Sequence, residues 1–184
     1  MAEIVVVGDG PAGLSAALFL AKNGHDTTVY GTDETAMHFA LLRNYLGVEE
    51  ETGSAFQARA RTQVERHGAT LVEDRVTELR ADDGRLALAT EGGRQDGADY
   101  LVLATAKKGV ELARQLGIET SEDGVDVDAE YRTRIDRVYA VGRLARPNRS
   151  QAIVSAGAGA VAALDILARE AGRDVTDWDS PEEG

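Results

Sequence analysis

The segment Gly8-Asp9-Gly10-Pro11-Ala12-Gly13 constrains this chain more than any other six residues. It follows an apolar run, Glu3-Ile4-Val5-Val6-Val7, which reads as a strand buried on both faces. Pro11 to Asn23 follows as a helix, and Asp26 to Tyr30 as a second strand. Gly-x-Gly-x-x-Gly recurs by chance when it stands alone. Between a strand and a helix, with a second strand close behind, it reads as a dinucleotide-binding βαβ unit. Gly8 permits the tight turn, Gly10 lets a pyrophosphate approach the backbone, and Gly13 lets the helix pack closely on the strand. Pro11 sits in the first turn, where its missing N–H costs nothing. Ala12 and Gly13 follow in that turn, whose free N–H groups and positive dipole end face the phosphates. The alternative is a tight strand–helix turn that holds no ligand.

One part of the fingerprint is absent. The end of the second strand should carry an Asp or Glu for the adenosine ribose hydroxyls. Tyr30 occupies that place, with Asp33 and Glu34 three and four residues later. Asp33 or Glu34 can reach back. Tyr30 can offer a hydroxyl or pack on an adenine.

Further along, residues 35–46 read as a short helix or ordered loop. Thr52 to His67 reads as an amphipathic helix with Phe56, Ala60 and Val64 on one face. Ala69–Leu79, Leu86–Thr90 and Tyr100–Ala104 read as strands, with turns at Asp82-Asp83-Gly84 and Glu91-Gly92-Gly93. Val110–Leu116 is a short helix, Val125–Val127 and Val138–Val141 are strands, and Ser150 to Glu170 is a long helix rich in Ala and Gly. We expect one domain over residues 1–172, followed by a frayed acidic tail over 173–184.

Composition narrows the function classes. The chain has no cysteine, which excludes disulfides, a thiolate nucleophile and the usual zinc ligand sets. His25, His38 and His67 are scattered, so we expect surface or helix-packing histidines and no metal site. No run approaches the roughly 18 apolar residues needed to span a bilayer. The first strand leaves no room for a signal peptide, which points to the cytoplasm. Asp and Glu number 32 against 20 basic residues, for a net charge of −12. That balance argues against nucleic acid as a partner. Only Lys22, Lys107 and Lys108 among the basic residues are lysine. Such a composition suits molar salt, where screening over about 3 Å removes self-repulsion.

At this point the sequence resembles the FAD domain of low-molecular-weight thioredoxin reductases and related flavoproteins with two dinucleotide-binding domains. The likeness runs from residue 3 to about residue 168. Residues 4–30 resemble the family's FAD-binding start. Asn44-Tyr45-Leu46-Gly47 resembles its Asn-Tyr/Phe-Pro/Leu-Gly segment, and Ala69–Val76 the strand that gives adenine a backbone contact near Val76. Tyr100 to Thr105, ending in Ala104-Thr105, resembles the strand ending in Ala-Thr-Gly. Val138 to Gly142, with Gln151-Ala152 and residues 156–160, resembles the C-terminal motif that holds the ribityl chain and flavin ring. The resemblance implies an α/β, Rossmann-like FAD-binding domain with a central parallel sheet, helices on both faces and a small β-meander. FAD is the implied cofactor.

The departures are specific. The family inserts an NADPH-binding domain after its Ala-Thr-Gly strand. Here Thr105-Ala106-Lys107-Lys108-Gly109 joins the flanking parts directly. Tyr30 replaces the ribose carboxylate, Ala106 a glycine, and Arg143 the aspartate after Gly142 that bonds the ribityl chain. Arg143 can donate to a phosphate oxygen or fill the flavin's space. Two function classes follow. One is a flavin-mediated oxidoreductase domain without dithiol chemistry, its electrons supplied in trans by a separate donor protein or free nicotinamide cofactor. The other is a non-catalytic nucleotide-binding or interaction module. A homodimer, or a separate polypeptide carrying the NADPH domain, fits the surface that the inserted domain would cover. We expect neither nucleic acid nor a membrane as partner.

The acidic, lysine-poor composition predicts that the melting temperature rises steeply between low and molar KCl. A melting temperature indifferent to KCl, followed by circular dichroism, would remove the salt adaptation.

Overall fold

In the computed structural model, residues 1–82 and 84–180 are described. The strands are β1 (Glu3–Val7), β2 (Asp26–Gly31), β3 (Leu41–Leu42), β4 (Glu51–Thr52), β5 (Thr70–Glu73), β6 (Val76–Asp82), β7 (Arg85–Thr90), β8 (Gln95–Ala98), β9 (Tyr100–Leu103), β10 (Thr120–Ser121), β11 (Gly124–Val125) and β12 (Val138–Ala140). The helices are α1 (Pro11–Lys22), α2 (Gly53–Arg66), α3 (Lys107–Gln115) and α4 (Ala152–Ala171). Five strands form one parallel sheet in the order β12-β9-β1-β2-β5. β1 lies at its centre because every residue after Glu3 is apolar and both faces are covered. Ile4 and Val6 pack with α1, α2 and α4. Val5 and Val7 face α3 and the antiparallel meander β6-β7-β8. This is the expected α/β architecture, with helices on both faces and a small meander.

The single strand expected over Ala69–Leu79 is two strands. β5 completes the parallel sheet beside β2, and β6 begins the meander. The chain turns at Asp74, whose Oδ1 accepts from the N–H groups of Arg75 and Gly92 at 2.7 and 3.1 Å. β8 carries the sequence Gln-Asp-Gly-Ala, which has no apolar alternation, and exists by pairing with β7. The expected turn at Asp82-Asp83-Gly84 includes Asp83, which lies outside the described residues. α3 begins three residues earlier than expected. α4 begins two residues later, because Pro147–Arg149 forms a 3-10 turn and Gln151 is extended.

The tail differs from a frayed one. Val175 packs on the core, and Lys22 Nζ lies 3.2 Å from Asp177 and also pairs with Asp179. Trp178 stands between those two aspartates and is 85% exposed. Residues 181–184 lie outside the described residues.

α4 also corrects the reading of apolar runs. It has 20 residues and a mean hydropathy of 1.6, long and apolar enough to cross a membrane by length and composition alone. Its alanines and glycines serve close packing instead. A Cβ on Gly159 would lie 2.0 Å from the Ala12 carbonyl oxygen, so α1 and α4 touch backbone to backbone. Ala158, Ala162, Ala163 and Ile166 are buried in the resulting core.

α4 carries one buried charge, Asp165. Tyr139 Oη donates to its Oδ2 at 2.6 Å, Arg132 Nε donates to the same oxygen at 2.7 Å, and Arg132 Nη2 donates to Oδ1. Burial opposes the charge, but the Arg132 and Tyr139 hydrogen bonds prevail and hold the carboxyl below the usual carboxylate range. A depressed folded-state pKa gives stability that is full above the unfolded value of about 3.9 and is lost as pH falls through the folded value. Asp165→Asn should therefore destabilise at neutral pH and flatten the acid limb below about pH 4. Chemical denaturation across pH measures this. Parallel acid limbs in native and variant proteins would refute the linkage.

Candidate functional site

β1 is the switch point of the sheet: the chain turns to β2 on one side and reaches β9 on the other. At such a point the loops leaving the carboxyl ends of the strands diverge and open a crevice. Here the crevice is a cleft of about 480 Å³, within the usual range for ligand sites.

Three helices open their first turns onto it. Gly10, Pro11 and Ala12 bring α1, Ala106 and Lys108 bring α3, and Ala152 and Ser155 bring α4. None of the three has a side-chain cap or an acidic residue in its first turn. By contrast, α2 is capped by Thr52, whose Oγ1 accepts from the Ala55 N–H. Uncapped first turns leave N–H groups seeking an acceptor and a positive dipole end. Three of them on one cleft suit an anionic ligand. Gly10 keeps its backbone open, since a Cβ there would meet only Thr35 Oγ1, at 3.4 Å. Gly8, at φ +112°, holds the tight turn; a Cβ there would lie 2.8 Å from the Ala104 carbonyl. Gly13 admits the Gly8 carbonyl, which would lie 1.8 Å from a Cβ.

The expected site residues fall into two groups. Gly8, Gly10, Pro11, Ala12, Tyr30, Val76, Ala104, Thr105, Gly142, Arg143 and Ala152 line the cleft together. Gly13 lies behind the loop. Arg143 is exposed, and its Nε donates to Ser150 Oγ at 3.2 Å. Thr105 Oγ1 is buried in the cleft wall without a hydrogen-bond partner among the described residues. Asn44 and Gln151 bond each other across 107 residues, Asn44 Nδ2 donating to Oε1 at 3.0 Å, and neither lines the cleft.

Tyr30 and Asp33 are committed elsewhere. Tyr30 Oη donates to Asp96 Oδ2 at 2.7 Å, and Arg94 stacks 5.9 Å over its ring. Burial, then the Asp96 bond, push the phenol up to about 12, so the proton stays. Asp33 is not a lining residue. Its Oδ1 accepts from Gln57 Nε2 at 3.1 Å, and His38 Nε2 lies 3.3 Å from its Oδ2. Glu34 lines the cleft instead, 2.9 Å from Arg75 and 3.8 Å from Lys108.

Sequence reading missed the support beneath the glycine loop. Asp9 is buried, and its Oδ2 accepts from Arg61 Nη1 and from the Asp33 N–H, the latter at 2.9 Å. Gln57 is fully buried on α2, and its Nε2 donates to the Asp9 carbonyl at 2.6 Å. Arg61 lies off the Phe56-Ala60-Val64 face, and Gln57 is polar, so the helical pattern alone carried no signal that either packs under the loop.

These residues fit FAD, the cofactor the sequence resemblance implies. The uncapped helix starts, the bare backbone at Gly10 and the guanidinium of Arg143 suit a pyrophosphate. Apolar Val76 and Ala152 suit the two ring systems.

Comparisons with known proteins agree with this architecture. A search of curated protein sequences finds no match. Among solved structures, a thioredoxin reductase from Gloeobacter violaceus superposes with a TM-score of 0.87 at 18% identity, covering 97% of this chain and 99% of that one. The atypical thioredoxin reductase TRi from Desulfovibrio vulgaris Hildenborough gives 0.82 at 21% identity, covering 91% and 97%. A ferredoxin-flavin thioredoxin reductase from Clostridium acetobutylicum gives 0.80 at 14% identity, covering 91% and 96%. At these identities the likeness is one of fold. The family described as pyridine nucleotide-disulphide oxidoreductase matches residues 2–52 and 41–160. With its glycine loop, switch-point cleft and sheet order accounted for, this chain belongs to the pyridine nucleotide-disulphide oxidoreductase family.

Proposed function

We propose that this chain is an FAD-binding oxidoreductase domain of the thioredoxin reductase type, with electrons supplied in trans. The observation that carries it is the convergence of three uncapped helix N-termini on one switch-point cleft. The α1 first turn and Arg143 would hold the pyrophosphate, Val76 would line the adenine end, and Ala152 would line the flavin end. When bound, FAD supplies two-electron redox chemistry at its ring. The chain's own part is to bind, orient and shield. It has no thiol, so no dithiol relay leaves the cleft through this chain. Residues 104–106 alone join β9 to α3, where the family resemblance would insert the NADPH domain. The reductant then comes from a separate electron-donor protein or a nicotinamide cofactor free in solution. A homodimer is the other arrangement that would cover the open face. We place the protein in the cytoplasm of a salt-adapted cell.

A second reading, a non-catalytic nucleotide-binding or interaction module, is favoured by the altered positions Tyr30, Ala106 and Arg143. The Arg143 guanidinium stands where the resembled family carries an aspartate.

Protein purified in molar KCl should be yellow, or should take up added FAD with a flavin absorbance. Colourless protein that takes up none would remove the first reading. Arg143→Asp should weaken FAD binding by about ten- to a hundredfold, the worth of a charge-assisted hydrogen bond. Tighter binding in that variant would show that Arg143 marks a lost site and would favour the second reading.

A further inference from the structure

The strand-end carboxylate that dinucleotide folds aim at the adenosine ribose is missing from β2. Tyr30 spends its hydroxyl on Asp96, and Asp33 faces Gln57 and His38. A carboxylate nevertheless reaches that strand end from another part of the chain. Asp9, between the first two glycines of the loop, lies against Gly31, the last residue of β2. A Cβ on Gly31 would fall 2.3 Å from Asp9 Cγ and 2.5 Å from its Oδ1. Both residues line the cleft.

We propose that Asp9 is the ribose carboxylate of this protein, supplied by the glycine loop instead of the strand. Its Oδ1 accepts a hydrogen bond from a ribose hydroxyl of the adenosine half of the cofactor. This rests on the FAD reading above and specifies how that site grips its ligand.

The two oxygens divide the work. Oδ2 takes both protein donors, Arg61 Nη1 and the Asp33 N–H. No described residue donates to Oδ1. Arg61 pairs with the almost fully buried carboxylate and compensates its charge. Asp33 adopts φ +53°, and its backbone N–H meets the carboxylate. Gln57 pins the Asp9 carbonyl and so fixes the loop backbone, while Arg61 and the Asp33 N–H hold the side chain. Glu34 and Asp74 are the other lining carboxylates. Glu34 is largely exposed and paired with Arg75 and Lys108, and Asp74 spends its Oδ1 on the Arg75 and Gly92 N–H groups of its own turn, so Asp9 is the better-fixed acceptor beside Gly31.

The geometry also explains why residue 31 is glycine. Any side chain there would occupy the space of the Asp9 carboxylate. The two positions are therefore interchangeable: trimming Asp9 and adding a carboxylate at 31 returns the charge to the same corner.

The test uses the full chain in molar KCl, with ADP, 2′-deoxy-ADP and 3′-deoxy-ADP as probes and calorimetric or FAD-displacement readout. The native protein should bind at least one deoxy analogue about tenfold more weakly than ADP, as expected for one hydrogen bond to a charged group. Asp9→Gly should bind all three alike, and Asp9→Gly/Gly31→Asp should discriminate again. The double variant keeps Arg61 partnered, so it carries the test where Asp9→Gly alone unfolds. Equal binding of all three nucleotides by the native protein overturns the proposal while leaving the FAD reading intact. So does discrimination that persists in Asp9→Gly, or a folded double variant without it. If the native protein binds neither ADP nor FAD, the FAD reading falls as well.

Discussion

Backbone-to-backbone contact around α1 is the constraint on which the rest of this structure depends. Gly13 lets α1 close on the Gly8 carbonyl, and Gly159 lets α4 close on the Ala12 carbonyl. The same few residues thus seat α1 on the sheet and seat α4 on α1. Any side chain at either glycine would drive backbone into backbone, where little can relax. Because α1 is held this tightly, its N-terminus is fixed at the carboxyl edge of β1, and α4 is brought to the same edge from the far end of the chain. The cleft is a by-product of how closely three backbones pack.

That packing creates an electrostatic demand. Helix starts normally find a side-chain acceptor, as α2 does with Thr52. The three that meet at the cleft do not. Their N–H groups remain free for a ligand in a molecule whose net charge is −12. Local positive potential inside an acidic protein must come from dipoles and a few guanidinium groups, and Arg143 is placed for this. Elsewhere arginine is spent on compensating buried acids: Arg61 on Asp9, and Arg132 on Asp165.

Much of this was legible in the sequence, and the exceptions are physical. The run Ile4 to Val7 announced a strand buried on both faces, and the glycine spacing placed the cleft. The long Ala- and Gly-rich segment read as a helix, though its close packing on α1 shows only in the structure. β8 was not legible, because Gln95 to Ala98 owes its extended form to pairing with β7 and to the Tyr30–Asp96 bond. The break at Asp74 was hidden because β5 and β6 are both apolar enough to read as one strand that changes sheets midway. The roles of Gln57 and Arg61 were not legible because a polar side chain facing a buried loop has the same sequence pattern as one facing water. Asp33 and Tyr30 were reasonable by spacing, but tertiary partners had already claimed their polar atoms.

The docked tail has a practical consequence. Trp178 is the only tryptophan in the chain and sits between the two aspartates that pair with Lys22. Lys22 ends α1, whose twelve residues place it about 18 Å from the glycine loop. Because the indole is already 85% exposed while the tail is docked, the anisotropy of its emission, rather than its wavelength, reports the tail's seating on α1. It reads the far end of the helix from the cleft, so a fall in anisotropy on adding a nucleotide that does not absorb its emission would signal release of the tail rather than contact with the ligand.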